Sequence, residues 1–272
     1  MKVKTILTVA VLFASSSAAF AQQNDAEIQQ IGGDANMATI GQTGMLNSAF
    51  ISQEADNDVA IIQQTGDNNV ATVLQGFHPD ANGFDTDAEI IQVGNRNEAT
   101  ITQTGRHEVS GFIHQTGDDN IAFIEQDKAD DFNNARVEIV QTGGEQNYVL
   151  QQQEDRRGVF GEVHQEGDNN VVHQTQTIGG GGSGMFSHVV SNQFGDFNEA
   201  DVDQNGERGS GETHQYGEDN HATIDQDGDE NKGHILQEGM MHMATISQMG
   251  NLQTANIHQN GSGNSAAITQ NQ

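Results

Sequence analysis

The sequence predicts an all-β chain folded as a solenoid, a cross-β stack of about ten layers with two short strands in each. Three observations predict it. A glutamine returns about every 11 residues, the residues before each one alternate with a period of two, and Gly and Asn stand at set distances after every second one. The composition agrees by exclusion. The 272 residues include 39 acidic and 10 basic side chains, 32 glycines, one proline and no cysteine, and only 33% are hydrophobic, too few for an ordinary globular core. Without cysteine there are no disulfides, no Cys-ligated metals and no thiol chemistry. A net charge of −29 argues against nucleic acid and anionic membranes as partners.

Residues 1–21 have the layout of a secretory signal peptide. Lys2 and Lys4 precede an apolar stretch from Ile6 to Ala14, and small residues lead to Ala19-Phe20-Ala21, with cleavage expected after Ala21. No later stretch approaches the roughly 18 apolar residues of a spanning helix, so no membrane insertion is expected. Residues 22–35 form a leader with a half-layer around Ile28 and Gln30, and residues 36–272 hold ten repeats.

Each repeat reads Q-x-G-x-x-N-x-A-x-I-x-Q, as from Gln64 to Gln75. Ala71, Val73 and Gln75 share one strand face, while Thr72 and Leu74 take the other. The Ala, aliphatic and Gln positions carry no charge in any strand, although acids are plentiful, so they face inward. The complete motif places inward glutamines at Gln42 and Gln53, Gln64 and Gln75, Gln92 and Gln103, Gln115 and Gln126, Gln193 and Gln204, Gln215 and Gln226, and Gln259 and Gln270. Stacked amides can pair along the axis and meet the hydrogen-bonding needs of these buried groups. This ladder is also the candidate polymerisation element, because a stack of like layers ends in unpaired strands that template another copy.

Tight turns are expected at Gly44 and Asn47, Gly66 and Asn69, Gly94 and Asn97, Gly117 and Asn120, Gly195 and Asn198, Gly217 and Asn220, and Gly261 and Asn264. Both residue types accept the left-handed backbone that turns need. Three further units start at Gln141, Gln165 and Gln237. In the first, Gln152 closes an 11-residue interval and Gln146 and Tyr148 replace Asn and Ala; Val172 replaces Ala in the second and His242 replaces Asn in the third. Every second connection thus has one length, and insertions fall on the opposite edge, which carries Pro79 and the glycine run from Gly179 to Gly184. The weakest interlayer packing is expected from Gln174 to Gln193, where Gln174 and Ser191 replace core aliphatics.

These repeats resemble the curlin family, the subunits of bacterial curli amyloid fibres, whose motif is Q-x-G-x-x-N-x-A-x-x-x-Q. The resemblance covers about residues 36–272 and matches in full in the seven units starting at Gln42, Gln64, Gln92, Gln115, Gln193, Gln215 and Gln259. It implies an extracellular functional amyloid of the biofilm matrix that polymerises with copies of itself. It further implies a periplasmic chaperone, an outer-membrane secretion channel and a nucleator subunit as partners. The major-subunit role is expected, since no atypical basic terminal repeat is present.

Catalytic signals are thin: there is no Gly-x-Ser-x-Gly, HExxH or phosphate-binding loop, and carboxylates on solenoid corners enclose no pocket. No cofactor is expected, and diffuse binding of divalent cations by acid columns is the expected limit. Asp227, Asp229, Asn231 and Glu238 have EF-hand-like spacing, but Lys232 stands where that loop requires Gly. His114, His164, His214 and His258 each precede a glutamine on the same outer column, about 9.6 Å apart at every second layer, too far to share a metal. The alternative function is a monomeric acidic β-solenoid that binds a ligand, a surface or calcium, though the outward threonines Thr72, Thr102 and Thr245 form no regular array.

Overall fold

A computed structural model describes residues 23–31, 35–54, 56–76, 86–104, 109–127, 135–154, 158–177 and 186–272. Residues 1–21, read in the sequence as a signal peptide, Pro79 and the glycine run lie outside the described residues. Odd-numbered strands form one parallel sheet: β1 (Asp25–Gln30), β3 (Ser48–Gln53), β5 (Val70–Gly76), β7 (Glu98–Thr104), β9 (Ile121–Asp127), β11 (Tyr148–Glu154), β13 (Val171–Thr177), β15 (Glu199–Asn205), β17 (His221–Asp227), β19 (Met243–Met249) and β21 (Ser265–Asn271). Even-numbered strands form the other: β2 (Met37–Thr43), β4 (Val59–Thr65), β6 (Thr86–Val93), β8 (Val109–Thr116), β10 (Ala135–Thr142), β12 (Val159–Glu166), β14 (Ser187–Phe194), β16 (Ser210–Glu218), β18 (Lys232–Met240) and β20 (Thr254–Ser262). The chain is an all-β solenoid, with 11 strands in the first sheet and ten in the second.

Register follows the repeat. Ala49, Ile51 and Gln53 pair with Ala71, Val73 and Gln75, so each rung places the same side-chain types over those below. Ala60, Ile62, Ala99 and Ile101 are fully buried, and their neighbours in the strand point outward. A fully buried Val or Ile stabilises by about 1.5–3 kcal/mol, and the small Ala beside each aliphatic suits an interior only two strands thick. The connections from even to odd strands are tight turns, while those from odd to even vary in length, as the repeat spacing predicts.

One unit departs from the sequence reading. In β11 it is Gln153 that pairs with Gln126 and Gln176, while Gln152 faces outward and donates to Glu125 Oε2 at 2.8 Å. The interval from Gln141 is therefore 12 residues, and Asn147 and Val149, rather than Gln146 and Tyr148, take the Asn and Ala positions. The physical reason lies in the turn. Gly143 and Gly144 both have positive φ, and Gly144 takes the stacked corner position between Gly117 and Gly167, so Gly143 is the added residue.

The core is interrupted where the sequence suggested. Gln174 Nε2 donates to Ser191 Oγ at 2.8 Å and Thr213 Oγ1 donates to the same oxygen at 3.0 Å, forming a buried polar plug. The apolar core divides around it, into one cluster from Ile28 to Ala200 and a second from Val189 to Ile257.

Candidate functional site

Two columns of glutamine side chains run the length of the solenoid. In the ten-stranded sheet Gln42, Gln64, Gln92, Gln115, Gln141, Gln165, Gln193, Gln215 and Gln237 each donate Nε2 to the Oε1 of the next, ending at Gln259, at 2.8–3.0 Å. In the other sheet Gln30, Gln53, Gln75, Gln103, Gln126, Gln153, Gln176, Gln204, Gln226 and Gln248 do the same, ending at Gln270, at 2.8–3.5 Å. Every link has the same sense: the amide of the earlier rung donates and the carbonyl of the later rung accepts.

That sense is held by the backbone across the narrow interior. Gln64 Nε2 also donates to Ser48 O at 3.1 Å, and Gln75 Nε2 to Val59 O at 3.0 Å. A flipped amide would set its oxygen against those carbonyls. Among the described residues the columns are therefore polar and unfinished at both ends. Gln42 Oε1 is buried without a partner at the first rung, and Gln259 Nε2, which donates to Met243 O, keeps a second N–H at the last.

The turn residues build a third column. Asn47 Nδ2 donates to Gly66 O at 2.7 Å, Asn69 Nδ2 to Gly94 O at 2.8 Å and Asn97 Nδ2 to Gly117 O at 2.8 Å, while each Asn Oδ1 accepts the next Asn N–H. Asn198 and Asn220 repeat these bonds toward Gly217 and Gly239. Glycine is required in this column. Gly66 has φ 116°, and a Cβ there would lie 1.9 Å from Gly94 O. Gly44, Gly195 and Gly261 share the positive φ.

The expectation that Asn supplies the left-handed residue is corrected by one position. Leu46, Asn68, Arg96, Asp119, Phe197 and Asp219, each just before the Asn, have φ between 55° and 59°. Such a conformation costs an L-residue about 1 kcal/mol or more, which the neighbouring Asn bonds offset. At the last even rung the φ of 68° belongs to Gly263, before Asn264. His242 stands in for Asn within the column: its Nδ1 accepts from Asn264 N at 3.2 Å, and its Nε2 lies 3.2 Å from Glu238 O.

Sequence reasoning missed a fourth column. Asp67 Oδ1 accepts Met45 N at 2.8 Å, Asp118 Oδ1 accepts Asn95 N at 2.7 Å, and Asp196 Oδ1 accepts Asp168 N at 2.8 Å. These acids close the corner backbone of the rung before. The available signal was the recurrence of Asp or Asn three residues after Gln. On the same edge Arg96 reaches Asp119 with bonds of 2.7 and 2.6 Å, and this charged hydrogen bond draws the Asp119 carboxyl below its ordinary value and raises Arg96.

The EF-hand-like spacing does not fold into a loop. Asp229 Oδ1 accepts Glu207 N, Asn231 is buried in the turn, and Glu238 lies near the far end of β18, about 20 Å along the strand from Lys232. His114, His164, His214 and His258 stand on the outer face of the ten-stranded sheet in one column. The spacing of that column did not weigh His234, which lies diagonally beside His214 with ring centroids 5.4 Å apart.

Residues 83–107 and 217–250 match the family described as Curlin associated repeat. The two matches contain Gln92 to Gln103 and Gln226, Gln237 and Gln248, which are successive rungs of the columns above. These two stretches of the chain are curlin repeats by that match. No curated protein is a significant match to the chain. In these repeats, then, Gln, Gly and Asn are the residues whose side chains or close-stacked backbones run from rung to rung, while Ala and the aliphatic fill the interior between them.

Proposed function

We propose that this curlin-repeat chain is the structural subunit of an extracellular, curli-like amyloid fibre, in which copies add end to end. The observation that carries this reading is the buried, unpartnered Oε1 of Gln42 at one end of a column whose other end, Gln259, holds a spare N–H. An unmet buried acceptor costs about 1–3 kcal/mol, and a second copy placed rung on rung removes that cost while pairing two open strand edges. The role is structural rather than catalytic, because the repeating columns are spent on the stack itself. Family resemblance supports export through residues 1–21, a chaperone, a secretion channel and a nucleating subunit, and a place in the biofilm matrix.

The test is growth of the chain from residue 22, followed by thioflavin fluorescence with and without sonicated product. A lag that seeds abolish, with fibre reflections near 4.7 and 10 Å, is expected. A β-rich monomer that persists in the presence of seeds overturns the reading. Gln42→Leu, which removes the orphan acceptor, is expected to slow elongation from this end while the monomer stays folded.

A further inference from the structure

The outer face of the ten-stranded sheet carries one group of side chains that the repeat does not explain. Glu212 on β16 and His234 on β18 are direct partners in the parallel register, and His214 lies two residues beyond Glu212 on the same face. Their nearest ligand atoms all lie within 4.8 Å of one another, and all three side chains are half-buried. We propose that Glu212, His214 and His234 bind one divalent transition-metal ion of the zinc class.

The donor chemistry suits that class. Two imidazoles and one carboxylate are a common catalytic-type zinc set, which leaves a fourth position for water, and imidazole selects zinc-like ions over calcium or magnesium. In a tetrahedral site with bonds of about 2.0–2.1 Å the donors stand roughly 3.4 Å apart, so closure from the observed spacing needs only small side-chain rotations. The paired register of β16 and β18 sets the spacing of the three ligand backbones.

Outer contacts also orient them. Ser210 Oγ lies 3.2 Å from Glu212 Oε1 and donates to it. Asn192 lies on the rung below, its amide Nδ2 3.1 Å from His214 Nδ1. Metal binding through Nε2 would require a 180° rotation of that amide, so that its oxygen accepts Nδ1–H, the usual support of a metal-bound imidazole. Val190 is buried beneath Glu212, and Leu236 follows His214 in its column, so apolar side chains flank the group along the sheet. Lys232, two residues before His234, is exposed and directs its charge to solvent.

The carboxylate columns make a bare binding curve insufficient, since 39 acids attract any divalent ion. Zinc is therefore titrated by calorimetry into the soluble full chain in excess calcium, which occupies the diffuse sites. One zinc per chain is expected, and cobalt in its place is expected to show the intense visible absorption of a four-coordinate site. His234→Gln is expected to abolish both signals with the circular dichroism unchanged. Asn192→Leu is expected to weaken binding by about tenfold, and Asp203→Asn, on the opposite sheet, to leave it as it was. Zinc binding to His234→Gln that equals the parent, competition by calcium at equal concentration, or an equal loss in Asp203→Asn overturns the site.

Discussion

Gln151 is the residue whose surroundings depart furthest from the repeat. It occupies the aliphatic position, between Ile124 and Gln174 in its column, and neither its Nε2 nor its Oε1 has a hydrogen-bond partner although both are buried. Room for it comes from Gly161: a Cβ on that glycine would fall 1.3 Å from Gln151 Nε2. Gln151→Ile removes two unmet polar atoms and restores an apolar contact, and it is expected to raise stability by about 2 kcal/mol in denaturant titration. The pair is coupled. Gly161→Ala alone is expected to destabilise through the clash, and to be tolerated or favourable in the Gln151→Ile background, where Ala resembles its neighbours in other rungs. Additive effects of the two substitutions contradict this account. The sequence position of Gln151 was legible only once Gln153 replaced Gln152 as the inward residue. Two adjacent glutamines carry the same letter, and only the extra residue in the Gly143-Gly144 turn decides which one points in.

At the scale of a strand or turn, periodicity carried most of the information. The two-residue alternation located the inward faces, and the 11-residue spacing separated the tight edge from the edge that accepts insertions. Conformation within the turn was not legible from residue type. Leu46 and Phe197 adopt positive φ, which neither side chain favours, because the Asn after each is held by bonds from adjacent rungs. The Asp and Asn bonds to corner backbone were equally hidden, since an acid at a solvent-facing corner reads the same whether or not it accepts a hydrogen bond.

Stacking also places like charges in line, and β15 with β17 is the clearest case. Asp203 faces Asp225 directly, with Asp201 and Asp227 close by. Crowding by neighbours, which thins the hydration of Asp203, and then the charges of Asp225, Asp201 and Asp227 push its carboxyl above the usual value. A carboxyl raised in the folded state holds its proton more tightly there than in the unfolded chain. Stability is therefore gained as pH falls through the folded value and lost as pH rises through it. Asp203→Asn is expected to be more stable than the parent at pH 7, with the difference shrinking as pH falls toward the ordinary carboxylate range of about 4. A difference that is constant with pH would sink the argument.

The whole molecule poses a question of fit at its ends. Both β1 and β21 belong to the 11-stranded sheet, so the described strands do not divide into whole rungs. If β20 of one copy is set beside β2 of the next, β21 falls where β1 already lies. If instead β21 is set beside β1, then β20 and β2 remain two strand spacings apart, about 9.6 Å, with no strand between them. Either β1 yields its place or the ten-stranded sheet is broken at every junction. The orphan on Gln42 favours the first outcome, because that buried acceptor lies in the ten-stranded sheet and is met only when β2 is paired. Strand β1 is also the easier to displace. It has six residues, of which Ile28 alone is buried, and its Gln30 is half-exposed. In the proposed fibre, β1 would cover β3 until an incoming β21 took its place with the same Ala, Ile and Gln pattern, a direct competition between near-identical strands. A chain beginning at residue 35, which lacks β1, is expected to polymerise with a shorter lag and faster elongation than the chain from residue 22 at equal concentration. Both should gain speed with salt, since the net charge of −29 on the whole chain repels one copy from another. Slower elongation without β1 would place β1 inside the junction and leave the ten-stranded sheet as the one that is interrupted.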